Sequence, residues 1–435
     1  MGNRSIAIVG SGISGLSAAW HLSKDQKVFL FEKDKRIGGH THTHAFDVDN
    51  REILVDSGFI VFNKINYPLF SNWLKELNVG YAESEMSFSV SRESGTLEWG
   101  GKNIFSVFCQ KKNMFSPNFI KMLFEIPKFN KLAREAIKAP SDDVEERPLG
   151  AFLSENNFSK FFFDNYIGPM AGAIWSTPEA KINEFPTLSI LHFFDNHGLL
   201  SLNNHHQWFH LKNGSSSYID EMFQHHRFKN RDVKVLKNCS VTRAEPKKVG
   251  RGCGKVALEV SNHQNNEKFS LLVDDVVFAC HANESLKCLD ASRPEATLLK
   301  KIRFQKNQGF LHNDSRLMPM KHSAWSSWNY FANSGRMTGQ GISVTYWMNK
   351  LQSLNTRENI FVSLNPFIDP CDSIFKKEFT YEHPVFDQNM IGARRKLESF
   401  QGLDNFWYCG AWTGNGFHED GFKSGKSVAE KINSK

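Results

Sequence analysis

Gly10-Ser11-Gly12-Ile13-Ser14-Gly15 is the first run in the chain whose residue types and spacing can do chemistry. It fits G-x-G-x-x-G, and each glycine has a task in holding a pyrophosphate. Gly10 turns the chain sharply, Gly12 lets the backbone approach the phosphates, and Gly15 lets a following helix pack closely. The helix then offers free N–H groups and the positive end of its dipole. Glu32 stands where the next strand should end. Its carboxylate can accept both ribose hydroxyls, and it repels a 2′-phosphate, which disfavours NADP. Lys33 and Arg36-Ile37-Gly38-Gly39-His40-Thr41 follow directly. The paired glycines expose N–H groups to a second phosphate, and Arg36 can complement its charge. An NAD dehydrogenase has no need of that second loop.

Near the other end, Gly410-Ala411-Trp412-Thr413-Gly414 should leave a strand, and Asp420-Gly421-Phe422 should open a helix. A helix N-terminus there can stabilise negative charge on the pyrimidine edge of a flavin. The two glycine-rich ends together point to FAD. His418 and Glu419 precede Asp420, and two roles are open to this group: proton acceptor beside the flavin, or loop shaping through backbone N–H groups. His40, His42 and His44 alternate, as a metal face would, but no carboxylate cluster accompanies them, so no metal is expected. Trp325, Trp328 and Tyr330, then Tyr346 and Trp347, are aromatic pairs on predicted strands that can wall a substrate tunnel or pack a core. Asp195, His197 and Gly198 read as a helix end facing a site, with His197 equally suited to capping the helix.

The elements that must position these residues are legible. Ser5–Gly10 is a short apolar run, Ser14–Lys24 has helical spacing, and Lys27–Glu32 is a second apolar run, which together make a βαβ unit with a buried parallel pair. Residues 157–174 and 187–196 read as helical. Residues 233–260, 269–279, 344–351, 359–365 and 405–410 read as strands, and a helix is expected from Gly421 to Ile432. Gly250–Gly254 (GRGCG), between Lys248 and a strand, reads as a hairpin turn, so there is no second nucleotide-binding unit. Pro140–Pro148 (PSDDVEERP) is an acidic loop and a candidate boundary.

With 435 residues, 40% hydrophobic and 23% charged, the chain is of the ordinary globular class and long enough for two domains. The 38 phenylalanines suit a wide apolar cavity or a Phe-rich core. A net charge of +7 favours anionic partners, but no Lys/Arg tract or zinc-finger spacing supports nucleic acid. The seven cysteines include no C-x-x-C pair, which suggests a reducing compartment and a cytoplasmic protein. The first strand begins too early to leave room for a signal peptide. No apolar run is long enough for a transmembrane helix. Residues 104–138 interleave Phe105, Phe108, Phe115, Phe119, Phe124 and Phe129 with lysines. That segment can lie on an anionic membrane, possible only as peripheral contact on the inner face, or pack as an amphipathic helix.

Beyond these local readings, the motifs VGSGISGLSAAW, GGHTHT, VDSGFIVFN, YPLF, MSFSVS, AIWSTP, FFDNHGLL, WSSWNYF, VTYWMNKLQ, HPVFD and GAWTGNGFHEDGFKSG span nearly the whole chain. The sequence resembles the amine-oxidase-like FAD-dependent oxidoreductases, which include amine oxidases, protoporphyrinogen oxidases and carotenoid desaturases. Within them it resembles the bacterial predicted NAD/FAD-binding proteins associated with cyclopropane-fatty-acid synthase. The resemblance implies an α/β fold: a Rossmann-like FAD-binding domain of the amine oxidase/glutathione-reductase kind, with an interleaved α+β substrate domain. We place the FAD-binding domain at 1–95, 211–285 and 385–435, and the substrate domain at 96–210 and 286–384.

The resemblance also implies non-covalent FAD contacted by Gly10, Ser11, Gly12, Ser14, Gly15, Glu32, Lys33, Arg36, Gly38, Gly39, His40 and Thr41. Further contacts are Val241 at the adenine and Gly410, Ala411, Asp420, Gly421 and Phe422 at the flavin. Two positions depart from the family pattern: His40 replaces an arginine, and Ala411 replaces an acid. Lys306 is the nearest candidate for the lysine that amine oxidases place at flavin N5, and it reads better as a surface residue. Cys409 reads as a strand residue and not a covalent flavin anchor. The function implied is oxidation of a hydrophobic substrate, a fatty-acyl lipid, by hydride transfer to flavin N5. The alternatives are a redox-neutral double-bond isomerase, an amine oxidase, and a non-catalytic partner of a lipid methyltransferase.

Overall fold

The computed structural model describes residues 4–48, 50–138, 147–175, 179–201, 206–249, 253–333 and 342–435. Strand Ser5–Val9 lies in the middle of a five-stranded parallel sheet. Its order is Val233–Leu236, Lys27–Phe31, Ser5–Val9, Asp275–Phe278, Phe406–Tyr408. Ile6, Ala7 and Ile8 are fully buried, as a strand covered on both faces requires. The period of two divides them: Ile6 and Ile8 join the core under the helices, and Ala7 joins the larger core on the opposite face. Helices Ile13–Leu22 and His418–Asn433 share that helical face. An antiparallel meander, Cys239–Val249, Cys253–Asn262 and Lys268–Val273, feeds Val256, Leu258 and Val273 into the other core.

A second, seven-stranded sheet runs Lys377–Pro384, Phe304–His312, Phe361–Leu364, Ile342–Trp347, Trp328–Ala332, Phe88–Arg92, Leu97–Gly100. All its pairs are antiparallel except Phe88–Arg92 with Trp328–Ala332. Helices Pro117–Lys138, Gly168–Trp175 and Thr187–Asn196 complete the unit. The expected boundary at residue 95 therefore falls inside the Phe88–Arg92/Leu97–Gly100 hairpin. Both strands of a hairpin share one sheet, so the second unit starts before that point.

Two further elements differ from expectation, and the Phe-rich basic stretch takes its amphipathic-helix form. Pro117–Lys138 is a single helix despite Pro127. Pro117 sits at its start, where no N–H is needed, and burial of Phe119, Met122, Ile126, Phe129 and Ala133 outweighs the one interior proline. The strand expected over 344–351 stops at Trp347, and Met348–Leu351 turns as a helix. The C-terminal helix starts at His418 because Asp420 accepts from the Phe417 and Asn415 N–H groups at 3.0 Å each, capping the helix one turn early. Residues 250–252 of the GRGCG turn and 140–146 of the acidic loop lie outside the described residues; the strands flanking the former pair antiparallel, Val249 opposite Cys253.

The chain's two ends meet at the closest helix contact. A Cβ on Gly421 would lie 2.6 Å from Ile13 Cγ2 and 3.0 Å from Ser14 Oγ. One on Gly425 would overlap the Ser14 carbonyl and approach Ala18 N at 3.0 Å. Backbone atoms cannot yield as side chains do, so Gly425→Val should lower the melting temperature by several degrees and reduce flavin content. Gly392 is the control: also within a helix, it has nothing within 4 Å of an added Cβ. Gly392→Ala should be neutral or stabilising by up to about 1 kcal/mol. Equal melting losses in both variants would contradict the close-packing account.

Candidate active site

At the end of the first strand, Gly10 donates to the Phe31 carbonyl at 2.8 Å with φ of 106°, a conformation glycine adopts without strain. An added Cβ on Gly15 would overlap the Gly10 carbonyl oxygen, whereas one on Gly12 would meet nothing within 4 Å. The second glycine loop closes over the first: Gly38 N donates to the Ser11 carbonyl at 3.1 Å, and a Cβ on Gly39 would come within 3.2 Å of Gly12 Cα. Gly12 thus keeps one open side in an otherwise crowded turn. Ser11 donates to Glu32 through both N–H, at 3.0 Å, and hydroxyl. The other Glu32 oxygen accepts from Asp34 N at 3.0 Å, so the carboxylate is buried and oriented. Arg36 braces the loop from within, donating to the carbonyls of Thr41 at 2.6 Å and Gly39 at 2.7 Å. Lys33 points elsewhere, to Glu284 at 3.8 Å. Val241 is buried where its strand bulges, and its carbonyl accepts from Cys288 Sγ at 3.1 Å.

His40, which departs from the family pattern, is enclosed by rings. It stacks on Tyr381 with centroids 4.8 Å apart, and His383 and His281 lie 5.6 and 5.8 Å away. Its buried Nε2 has no hydrogen-bond partner. Burial first, then the neighbouring histidines, hold its pKa well below the usual imidazole range. His383 is pushed down to about 4 by burial, and Asn307 Nδ2 contacts its Nδ1 at 2.8 Å. Strand alternation puts Asn307 inside and leaves Lys306 exposed, opposite Glu382.

Opposite, Gly410 N donates to Ser424 Oγ at 3.0 Å, and Trp412 Nε1 donates to the Cys280 carbonyl at 3.0 Å. Cys409 is buried, with its thiol pKa raised by that burial. Ala411 opens the short turn that follows the strand, and Phe422 packs into the helical core against Trp73.

The acids beside His418 are spent on backbone. Glu419 accepts from Leu69 and Phe70 N–H at 2.9 Å each, capping the helix Pro68–Glu76, and Asp420 caps its own helix. His418 itself stacks on Phe59 at 3.8 Å and meets Phe70 edge-on. Its Nε2 pairs with Tyr218 Oη at 3.1 Å, which in turn pairs with Thr41 Oγ1 at 2.7 Å. Burial pushes its pKa down to about 3. Of the two roles open to this group, the packing of the ring against Phe59 and its bond to Tyr218 favour the structural one.

The five aromatic residues expected to line one tunnel lie on two faces of the seven-stranded sheet. Trp328, Tyr330 and Tyr346 face one way, with Tyr330 donating to Glu179 at 2.7 Å. Trp325 and Trp347 pack together on the other, 5.3 Å apart, against Phe361. Tyr346 and Trp347 are consecutive strand residues and cannot share a face. The aromatic wall beside the C-terminal helix comes instead from Trp175, Phe193, His197, Trp208 and Phe417. Phe193 stacks on His197 at 3.8 Å and on Phe417 at 4.8 Å, and Trp175 lies 4.7 Å from Phe193. His197 Nδ1 donates to the Phe193 carbonyl at 2.9 Å, which leaves Nε2 as the unprotonated nitrogen; it is buried and unpaired. Burial pushes this pKa down to about 4.

Asp56 is the residue that local pattern did not single out. Fully buried, it accepts from Ser215 N at 2.8 and 2.9 Å, Ser215 Oγ at 2.8 Å, Thr43 Oγ1 and Gln352 Nε2 at 2.7 Å. Burial still raises its pKa to about 6. Its neighbour Ser57 pairs with Tyr381 Oη at 2.8 Å and with His44 Nε2 at 2.9 Å. His42 and His44 lie 3.9 Å apart, while His40 turns to Tyr381. Among the described residues no three potential metal ligands gather.

Two helix N-termini meeting over crossed glycine loops, one open glycine face, a braced acid at the end of the second strand and an unpaired buried nitrogen on His40 fit FAD, and they define a flavin-dependent oxidoreductase. Residues 13–360 match the family of flavin-containing amine oxidoreductases, and the chain belongs to that family. No curated protein matches it by sequence. Solved structures share the fold at low identity. One described as a protoporphyrinogen oxidase from Exiguobacterium sp. 255-15 has 13% identity and a TM-score of 0.67, covering 100% of this chain and 99% of that one. The fatty acid isomerase of P. acnes that produces CLA has 14% identity and a TM-score of 0.65, covering 99% and 98%. Cyclohexylamine oxidase from Brevibacterium oxydans IH-35A has 14% identity and a TM-score of 0.64, covering 99% and 100%.

Two outcomes follow. Because a Cβ on Gly12 meets no protein atom, Gly12→Val should fold with a near-native melting curve yet purify without flavin absorbance; a yellow variant would remove the pyrophosphate from this position. The second concerns acid. His42 (about 3) and His44, His197, His312 and His383 (about 4 each) all titrate below the 6.5 of an unfolded histidine. The unfolded chain therefore binds more protons between these values, and stability present above about pH 6.5 is lost as pH falls towards 4. Asp56, Glu419 and Asp420, whose carboxyl pKa burial raises, oppose this but are fewer than the buried histidines. The melting temperature should drop across that window, less steeply in His312→Gln; a flat profile would contradict the buried neutral imidazoles.

Proposed function

We propose that this protein oxidises a fatty-acyl lipid, introducing a double bond into an apolar chain. The observation that carries the reading is the wall of Trp175, Phe193, Trp208 and Phe417, joined through His197, at the start of the C-terminal helix. It suits a hydrocarbon. A charged amine would call for a carboxylate or an aromatic cage around the cation. Yet the acids beside the wall, Glu419 and Asp420, already satisfy backbone N–H groups. FAD, when bound, supplies the two-electron acceptor for a hydride.

The chain's own residues would do the rest. The wall would hold the acyl chain and exclude water. His197, kept neutral by burial, with Nδ1 held by the Phe193 carbonyl, would take the second proton at Nε2. A second reading is a redox-neutral double-bond isomerase, favoured by the likeness to the P. acnes fatty acid isomerase. A working link to a cyclopropane-fatty-acid-synthase-like methyltransferase would supply methylated or cyclopropanated acyl chains as substrates. It rests on the sequence motifs alone.

Anaerobic mixing with methylated, cyclopropane and unsaturated phospholipids tests the reading. Desaturation requires flavin bleaching and a product about two mass units lighter. An unchanged mass with a moved double bond would assign the isomerase, and bleaching by amines but by no lipid would assign an amine oxidase. His197→Gln should slow lipid-driven bleaching by at least about tenfold without emptying the flavin site. NADPH at millimolar level should not bleach the flavin within seconds, because the described residues hold one strand–GxGxxG–helix unit. Acid precipitation should release the flavin into solution.

A further inference from the structure

The basic, phenylalanine-rich stretch 104–138 separates into two populations in the fold. Phe119 and Phe129 are fully buried, and Phe108 packs on Phe119. Phe105, Phe115 and Phe124 instead stand 79%, 84% and 73% exposed, with Ile104 and Met114 also projecting. Met320, 78% exposed, comes from a distant part of the chain to join them.

Buried Glu98 holds these pieces together. Its carboxylate accepts from Met320 N at 2.7 Å and Lys321 N at 2.8 Å, and its carbonyl accepts from Asn113 Nδ2 at 3.0 Å. Gln110 adds two bonds to the same strand turn, accepting from Glu98 N at 3.0 Å and donating to the Gly95 carbonyl at 2.7 Å. The short helix Ile104–Val107 is fixed by a capping box between Asn103 and Ser106 and packs on the turn His322–Ala324. The apolar knobs therefore project from a braced platform. Scattered exposed apolar residues need no explanation, but a clustered and braced set marks an interaction surface.

The charge around the knobs identifies what covers them. Lys111, Lys112 and Lys121 are exposed among them. The one acid inside this part of the helix, Glu125, is buried and accepts from Ser159 N at 2.8 Å, so it does not offset them at the surface. Glu135 lies further along, paired with Lys131. We propose that this face docks the protein on an anionic phospholipid bilayer, with Phe105, Phe115, Phe124 and Met320 entering the acyl boundary and the lysines among the headgroup phosphates. A second copy of the chain is a poorer occupant, since a two-fold contact would set these lysines against one another.

The buried side of the same helix leads inward. Phe129 meets Phe194 at 6.5 Å, and Phe194 belongs to the helix that carries Phe193 and His197 of the aromatic wall. Delivery of a bilayer lipid along this route rests on the function proposed above; docking does not.

Sedimentation of the flavin-loaded protein with vesicles tests docking without any turnover. The protein should pellet with phosphatidylcholine vesicles containing about one-third phosphatidylglycerol and stay in the supernatant with phosphatidylcholine alone. Raising salt from about 50 to about 500 mM should release it. Phe105→Ser with Phe115→Ser, and separately Lys111→Glu with Lys121→Glu, should each weaken binding at least about tenfold, with unchanged melting curves and flavin spectra. Lys300→Glu, remote in the chain and exposed, should bind as wild type does. Failure of the wild type to bind anionic vesicles overturns the proposal, as does wild-type binding by both double variants. A dimer in sedimentation equilibrium that Phe115→Ser disperses, with no vesicle binding, would assign the face to a second copy. Loss of lipid turnover with vesicle binding intact would count against the proposed reaction and leave docking standing.

Discussion

The architecture of this oxidoreductase depends on one contact, the close approach of the first helix and the last. Gly421 and Gly425 remove the side chains that would keep His418–Asn433 away from Ile13, Ser14 and Ala18. Ser17 Oγ then bonds the Phe422 carbonyl at 2.7 Å. Two helix N-termini brought to one place concentrate unpaired N–H groups and two dipole ends, which is a site for a polyanionic cofactor. The closure also seats the C-terminal segment, and with it Phe417, against the second sheet's helices.

Around that contact the protein spends several of its acids on backbone or on hydroxyls, while Asp275, Glu295 and Asp314 pair with arginines. Glu32 holds Ser11, Asp56 holds the loop at Ser215, Glu419 caps a neighbouring helix, and Glu98 pins the platform that carries the exposed phenylalanines. A carboxylate that accepts several such bonds fixes the relative positions of segments far apart in sequence, and it is correspondingly unavailable to a substrate. The histidines follow the complementary rule. His40, His197 and His418 are neutral because burial makes their charged form costly. Two of the three, His40 and His197, keep a buried ring nitrogen without a partner.

The phenylalanines serve three environments: the core around Phe119 and Phe129, the wall at Phe193 and Phe417, and the exposed platform at Phe105 and Phe115. Their abundance alone is consistent with any of these. Only their distribution separates a packed core from a surface that needs a partner. The helix Pro117–Lys138 takes part in two of the three environments through opposite faces, which links the surface to the interior through side-chain packing.

What the sequence determined by itself is whatever depends on residues close together in the chain. The βαβ unit, the tasks of Gly10, Gly12 and Gly15, the acid Glu32 and the loop at Gly38-Gly39 could be read directly, because a turn and the helix beginning at it are set by local backbone sterics. The same holds for the strands of the five-stranded sheet and for the capped C-terminal helix, apart from its first turn, whereas Phe88–Arg92, Leu97–Gly100, Phe304–His312 and Lys377–Pro384 of the second sheet were not legible. Strand alternation was also available locally, and it already excludes a single wall containing both Tyr346 and Trp347. The tertiary structure decided the rest. Nothing in the neighbourhood of Asp56 announces Ser215 or Gln352, and nothing near His418 announces Phe59 and Tyr218. The wall gathers residues 175, 193, 208 and 417 from separate elements, and Met320 joins Phe115 only through Glu98. Burial, pairing and pKa follow from such long-range neighbours, so the local pattern could nominate His197 and His418 together, while only packing left one with a bare buried nitrogen and tied the other to Tyr218.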